Sequence, residues 1–457
     1  MTVNEFAFSQ EVYTSRRKSL MEKVPGSQIL LIGNNYSSMN YRDNHYPFIQ
    51  DSNFLYYVGM DIPGLSVIID SNTGITTLYG NDIDIDMIIW TGNQPSLKQL
   101  GERSGISQIK TKSSLKSDIK AGIKYLPTYR SEHELQYQDL LNGSTIEPSL
   151  DLILAIIEQR NIKSEAELIQ LNKAVEITSR LQTYLMRNAK DGMKEYQLVG
   201  VAKAFLSDHN CSFSFPPICT INGQTLHNHY HGNTMKNGDM LLMDCGARLN
   251  NGYSGDMTRT FPVSGKFTTR QSDLYSIVNN AHNNAVEMSN PGTYYRDVHL
   301  GAAKTIVEGL IQLGWMKGDP DEAVSTGAHT LFFQHGLGHM MGLDVHDMEN
   351  LGEVYVGYDS TISKSTEFGL KSLRLGRQLK EKNVITIEPG IYVIPELIDK
   401  FQSEGKFKNF INYSVVNENR DAGGIRIEND YVIRSNGVVA LGNPDGTSVE
   451  EVESIMS

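Results

Sequence analysis

The residues with the clearest chemical potential lie in DMLLMDCGARLNNGYSGDMTRTFP, positions 239–262. MLLMD reads as a buried strand, Asn250-Asn251-Gly252 as a turn suited to positive φ, and YSGDMTRTF as the returning strand. Asp244 and Asp256 lie at similar distances from that turn, so a hairpin brings them together on neighbouring strands. Two carboxylates side by side in a buried sheet repel and are costly to desolvate. They are tolerated where one stays protonated or where a cation sits between them. Taken singly, an Asp at a strand end is more often a cap or turn residue.

Two later strands repeat the anomaly. In VITIEPGIYV, Glu388 shares a face with Val384 and Thr386, just before Pro389-Gly390. In GGIRIENDYVI, Arg426 and Glu428 share a face between Ile425 and Ile427, and Arg426 is an available partner for Glu428. A lone Glu in such a strand is more often ion-paired than catalytic. HGLGHMMGLDVHD adds His335, His339, His346 and Asp347. The His335/His339 spacing matches half of the H-E-x-x-H zinc helix, but Gly336 stands where the Glu belongs, and Gly336 with Gly338 disfavours a continuous helix. Three histidines within twelve positions, among glycines that permit close approach, point to a site. His227 in TLHNHYHGN is a further candidate, while His229 and His231 read as loop residues.

The set is two Asp, two Glu and at least one His, presented by strands. Four carboxylates balance two divalent cations, so the group is neutral only with metal bound. Oxygen-dominated ligation with one imidazole suits Mn²⁺, Co²⁺ or Zn²⁺, and Cys245 beside Asp244 reads as packing. Paired metals make hydroxide at neutral pH and stabilise a tetrahedral oxyanion, so the physical reading is metal-assisted hydrolysis.

Other elements must hold these residues in place. A chain of 457 residues implies two or three domains. In the first third SQILLIG, FLYYVGM (54–60), LSVIID and TTLYG are short apolar runs bounded by Gly, Asn, Pro and Asp, which predicts buried strands in a mixed sheet with flanking helices. The pattern changes near 150. A helix is expected over 162–189 with a capping box at Ser164 and Glu167, then others over 195–207, 271–289 and 295–313, followed by a strand-rich C-terminal part. The domain boundary is placed near 155, giving 1–155 and 156–457. The polar loop 350–379 is long enough to be mobile or functional.

Lys plus Arg number 41 against 53 Asp plus Glu, a net charge of −12, which argues against a general nucleic-acid or anionic-membrane binder. Cys211, Cys219 and Cys245 lack CxxC spacing, which fits a reducing compartment. The polar N-terminus has no apolar core, and no stretch has the length of a membrane span. The expectation is a soluble cytoplasmic protein.

LHN at 226–228, MDCG at 243–246, SGDMTRTFPVSGKFT from Ser254, HGLGHMMGLDVHD from His335, TIEPGIY from Thr386 and GIRIEND from Gly424 together resemble the pita-bread metallopeptidases. The match is to the Xaa-Pro aminopeptidases and their relatives the prolidases. QDSNFLYYVGMDIPG (50–64) and IIWTG (88–92) are similar to the creatinase-type N-terminal domain of that family. The resemblance implies an α+β chain: a C-terminal pita-bread catalytic domain preceded by a smaller α/β creatinase-type domain used for oligomerisation or substrate gating. It implies that Asp244, Asp256, His339, Glu388 and Glu428 hold two divalent ions, typically Mn²⁺, with Asp256 and Glu428 bridging. Asp244 would complete one shell, His339 and Glu388 the other, with Glu388 also the general base. His227 and His346 would hydrogen-bond the scissile carbonyl and the developing gem-diolate, His335 would hold the prolyl side, and Arg426 would face the ligands or the substrate. The implied partners are peptides with proline second and, as a homodimer or homotetramer, further copies of the chain. An Xaa-Pro bond lacks an amide N–H and has a fixed φ, so it needs a dedicated pocket.

Three features depart from the family pattern. The Asp244–Asp256 interval is one residue longer than usual. Phe215, near the substrate, stands where aminopeptidase P often has Tyr. The segment 392–412, like HGLGH, looks more like the prolidases. The alternatives are therefore a prolidase restricted to dipeptides and, more distantly, a metal-free creatinase-like or binding protein of the same fold. Methionine aminopeptidase shares the catalytic fold but usually lacks the N-terminal domain.

Overall fold

The computed structural model describes residues 6–143 and 147–457. The chain divides into two compact units. One runs to Arg160 and takes in Met348–Tyr355; the other comprises Asn161–Asp347 and Val356–Ser457.

In the first unit, strands Gln28–Ile32, Ser66–Asp70, Ile75–Gly80 and Gln108–Thr111 form one sheet in that order. The first three are antiparallel. The last pair is parallel, which requires a crossover, and the crossover carries helices Ile85–Thr91 and Leu97–Ser104. The sheet is thus mixed, as the pattern predicts. Its core joins Leu30, Ile32, Ile68 and Tyr79 to Leu115, Ile123 and Tyr125. FLYYVGM, however, forms the helix Ser52–Val58 instead of a strand. Asp51 accepts the Phe54 N–H at its start, and Gly59 ends it at φ 75°, where any Cβ would collide with the Tyr13 ring. A helix buried on every side is apolar throughout, so a short run cannot be told from a buried strand by its periodicity.

In the second unit the helix Glu165–Asn188 starts at the expected capping box and buries Leu171, Val175, Leu181 and Leu185. Helices Glu195–Asp208, Thr269–Met288 and Tyr295–Gln312 lie close to their expected spans. Strands Ile218–Thr220, Met240–Cys245 and Met257–Pro262 form an antiparallel sheet buried on both faces, which is why MLLMDC is apolar almost throughout. Val384–Ile387 pairs with Asn429–Arg434, and Gly390–Tyr392 pairs with Gly424–Arg426. One register links these two ladders. A step beyond Ile387↔Asn429, and two steps before Gly390↔Arg426, falls the same pair: Glu388 opposite Glu428. Pro389 has no N–H to give, so the ladder opens where the two glutamates face each other.

Candidate metal centre and active site

The hairpin forms with an offset. Asp244 lies opposite Thr258, so Asp256 sits diagonally from it, two positions nearer the turn. The diagonal still brings the carboxylates into one cluster with the second pair of strands. Ligand atoms of Asp256, His339 and Glu428 all lie within 4.8 Å of one another. His339 Nε2 is 3.4 Å from Asp256 Oδ2 and 4.0 Å from Glu388 Oε1. Its Nδ1 is 3.0 Å from the Met340 carbonyl. That carbonyl can only accept, so Nδ1 carries the proton and the Nε2 lone pair faces the carboxylates, which is the ligating tautomer. His339 belongs to a segment without helix, as the glycines require; Gly338 packs so closely on the Thr386 carbonyl that no Cβ fits.

Arg426 does not pair with Glu428. Its Nη2 donates to Asp244 Oδ2 at 2.5 Å, its Nε to Thr258 Oγ1 at 3.1 Å and its Nη1 to the Tyr392 hydroxyl at 3.0 Å. Glu428 instead accepts from Thr258 Oγ1 at 2.7 Å. Sequence alternation places both Arg426 and Glu428 on one face but says nothing of the hairpin above them, where Asp244 lies nearer the guanidinium.

Electrostatics at the cluster are severe. Burial first, and then neighbouring carboxylates, push Asp256, Glu388 and Glu428 well above the usual carboxylate range. Asp244 Oδ1 and Asp256 Oδ1 are buried without a hydrogen-bond partner. Crowded carboxylates with orphaned oxygens and one correctly turned imidazole fit divalent cations, which would satisfy those oxygens and remove the repulsion.

The cluster forms one wall of a cavity of about 610 Å³, in the range that holds small peptides. Phe215, His227, His335, His346, Glu388 and Arg426 line it together with Asp244, Asp256, His339 and Glu428, so the ten site residues that the resemblance implies meet there, while Asp347 does not line it. His227 is exposed at its edge, and the half-buried His346 ring lies 4.1 Å from that of His339. His335 Nδ1 bonds the Gly336 carbonyl and its Nε2 meets the Tyr392 hydroxyl, each at 2.8 Å. Arg426 therefore donates to Tyr392, which donates to a neutral His335. Burial, and after it the Arg426 charge, lowers His335 to about 3 and keeps it neutral.

Three contributors escape the sequence reading. Tyr392 looks like an ordinary aromatic strand residue. Arg374, from the polar loop, lines the cavity, and nothing in its surroundings marks it. Asp430 could have been found, because the alternation through Arg426 and Glu428 extends to it; its Oδ2 accepts the Asp256 N–H at 2.9 Å.

Residues 170–435 match the family model for metallopeptidase family M24, and residues 13–128 match that for the aminopeptidase P N-terminal domain. The chain belongs to metallopeptidase family M24, whose members use divalent metal ions. It is similar to the Xaa-Pro aminopeptidase of Escherichia coli strain K12, at 29% identity over 98% of both chains. It is equally similar to the Xaa-Pro dipeptidase of Homo sapiens, at 29% identity over 99% of this chain and 93% of that one. Among solved structures, a variant of E. coli aminopeptidase P in complex with substrate superposes with a TM-score of 0.81, at 28% identity and 98% coverage of each chain. The α+β architecture is that of these enzymes. No helix among the described residues is long and apolar enough to cross a membrane.

Proposed function

We propose that this chain is a metal-dependent exopeptidase that hydrolyses the Xaa-Pro bond at the N-terminus of peptides. The observation that carries the reading is the cluster of orphaned, mutually repelling carboxylates and one imidazole in the wall of a peptide-sized cavity. Asp244, Asp256, His339, Glu388 and Glu428 would hold two divalent ions, Mn²⁺ by preference. Bound there, the ions lower the pKa of water and offset the charge that builds on the carbonyl oxygen.

Glu388 takes a proton from the attacking water as its oxygen joins the carbonyl carbon. It returns a proton to the prolyl nitrogen as the C–N bond breaks. His227 and His346 donate hydrogen bonds to the oxygen that gains charge. His335, held by Tyr392 and Gly336, and Phe215 line the cavity on the proline side, and Arg426 fixes Asp244. Residues 1–155 act as a creatinase-type domain for gating and for assembly into a homodimer or homotetramer, in the cytoplasm.

A second reading, a dipeptidase for Xaa-Pro alone, is favoured by Arg374, since a guanidinium in a cavity wall suits a terminal carboxylate. Product analysis on Ala-Pro and Ala-Pro-Ala, with protein stripped by chelator and reloaded with Mn²⁺, separates the two. Metal-dependent release of Ala from the tripeptide is expected. Cleavage of Ala-Pro alone establishes the dipeptidase, and cleavage of neither overturns both.

A further inference from the structure

His346 ends a segment, 334–347, that is neither helix nor strand apart from a single bridge at Met340. Backbone bonds from Leu337, His339 and Met341 to the strand at 384–388 fix the first half of the segment and end five residues before His346. The adjacent Asp347 is 1% exposed, and its Oδ2 accepts a hydrogen bond at 2.8 Å from Nζ of Lys163, a residue that is also 1% exposed and lies 184 residues away. Asp347 closes a tight loop. Its N–H donates to the Met340 carbonyl at 3.1 Å, and its carboxylate packs against Gly342 so closely that no Cβ fits there. Gly342 in turn accepts the Ser254 N–H at 3.2 Å, beside the Asp256 strand. The Lys163 N–H donates to the Lys382 carbonyl at 3.0 Å, just ahead of the strand leading to Glu388.

Stability does not account for such a pair. Two ions taken fully out of water lose hydration that their attraction barely repays, and apolar side chains of similar size commonly serve as well. What the pair does supply is a fixed position. We propose that Lys163 is a positioning residue of the active site, acting through Asp347 to hold the His346 imidazole beside His339. This rests on the reading of His346 as a donor to the substrate oxygen.

The test is the charge-free pair Lys163→Met with Asp347→Leu. The double variant should melt like the wild type and bind as much Mn²⁺. Its kcat on Ala-Pro-Ala should fall about 10–100-fold with KM within about 3-fold. Adding His346→Ala to it should cost only what remains of the about 100-fold that the change costs in the wild-type background, so that the combined variant and His346→Ala alone share about the same kcat, because one function is removed twice. Wild-type kcat in the double variant, a full further loss on adding His346→Ala, or lost Mn²⁺ each overturns the proposal. Lys163→Gln, a milder change that retains a donor, should show the same pattern at about 3–10-fold and serves if the double variant does not fold. NMR of histidine-labelled, Zn²⁺-loaded protein gives a readout free of activity. The His346 ring signal, identified by its loss in His346→Ala, should shift and broaden in the variant, and an unchanged signal overturns the proposal. If the wild type cleaves no Xaa-Pro peptide, the proposed function fails, and the ring signal still decides the positioning.

Discussion

The second unit buries two groups of titratable side chains, and their unmet atoms ask for different things. Asp244, Asp256 and Asp430 each leave one carboxylate oxygen without a partner; His299 and His329 leave both ring nitrogens, and His282 one. Burial drives members of both groups toward neutrality, raising the carboxyls Asp256 and Asp430 and lowering His282, His299 and His329 to about 3, 3 and 4. A neutral imidazole is a stable end state, and the His299 and His329 rings simply pack edge to face, with Phe333 against His299. Carboxyls that crowd one another beside an open cavity reach neutrality only by keeping protons that they would give up in water, and a cation can take the place of those protons. Orphaned atoms and displaced pKa values therefore mark buried polarity in general. Convergence of like charges on a cavity marks a site.

Removing a member of each group is the strongest way to break this contrast. Asp256→Ala or Glu428→Ala should abolish bound metal and peptidase activity together, a loss of at least about 10³-fold. His299→Leu should leave both untouched. Metal analysis beside kcat/KM decides, and a metal-replete, active Asp256→Ala protein would sink the ligand assignment. His346→Ala sharpens the picture one step out from the ligands: kcat should drop about 10²-fold while metal stays bound.

Metal removal tests the carboxylate half through stability. In metal-free protein the folded-state pKa values of Asp256, Glu388 and Glu428 lie above their unfolded values. The folded state then binds more protons than the unfolded one above about pH 4, so this group destabilises the fold increasingly as pH rises. Metal replaces those protons. Mn²⁺ at one fixed concentration, about a hundred times its Kd at pH 6, should add about 2.7 kcal/mol there, and the gain in Tm should be larger at pH 8 than at pH 6. An equal gain at both would mean that the carboxyls are already ionised and paired without metal.

Much of this was readable from the chain because the chemistry is written in strands. Period-two alternation places Glu388, Arg426 and Glu428, and Asn250-Asn251-Gly252 sets the hairpin that brings Asp244 near Asp256. What escaped depends on contacts between distant segments. The guanidinium of Arg426 chooses Asp244 over Glu428, 182 residues away against two, and Arg374 reaches the cavity from a loop with no periodicity. FLYYVGM was misread for a different reason. Its burial is complete, and complete burial erases the signal that separates helix from strand.

The smallest predicted effect isolates the histidine half. Unfolded, each imidazole titrates near 6.5; folded, His282, His299 and His329 stay neutral until about 3, 3 and 4. Between those limits the unfolded state binds more protons, so stability is complete above about pH 6.5 and falls as pH drops toward 4. At pH 5 each histidine should cost about 2 kcal/mol relative to neutrality. The carboxylates obscure this in a bare pH profile, since their metal-free contribution runs in the opposite direction and their metal-bound contribution is lost as protons displace the ion. The difference between wild type and His299→Leu, both in chelator, cancels the carboxylate part because the two proteins share it. Denaturant midpoints from pH 7.5 to 4.5 should diverge, with the variant losing less stability by about one histidine's share. Parallel profiles would mean that His299 takes up its proton in place, and that its ring has a polar partner that the closed packing does not provide.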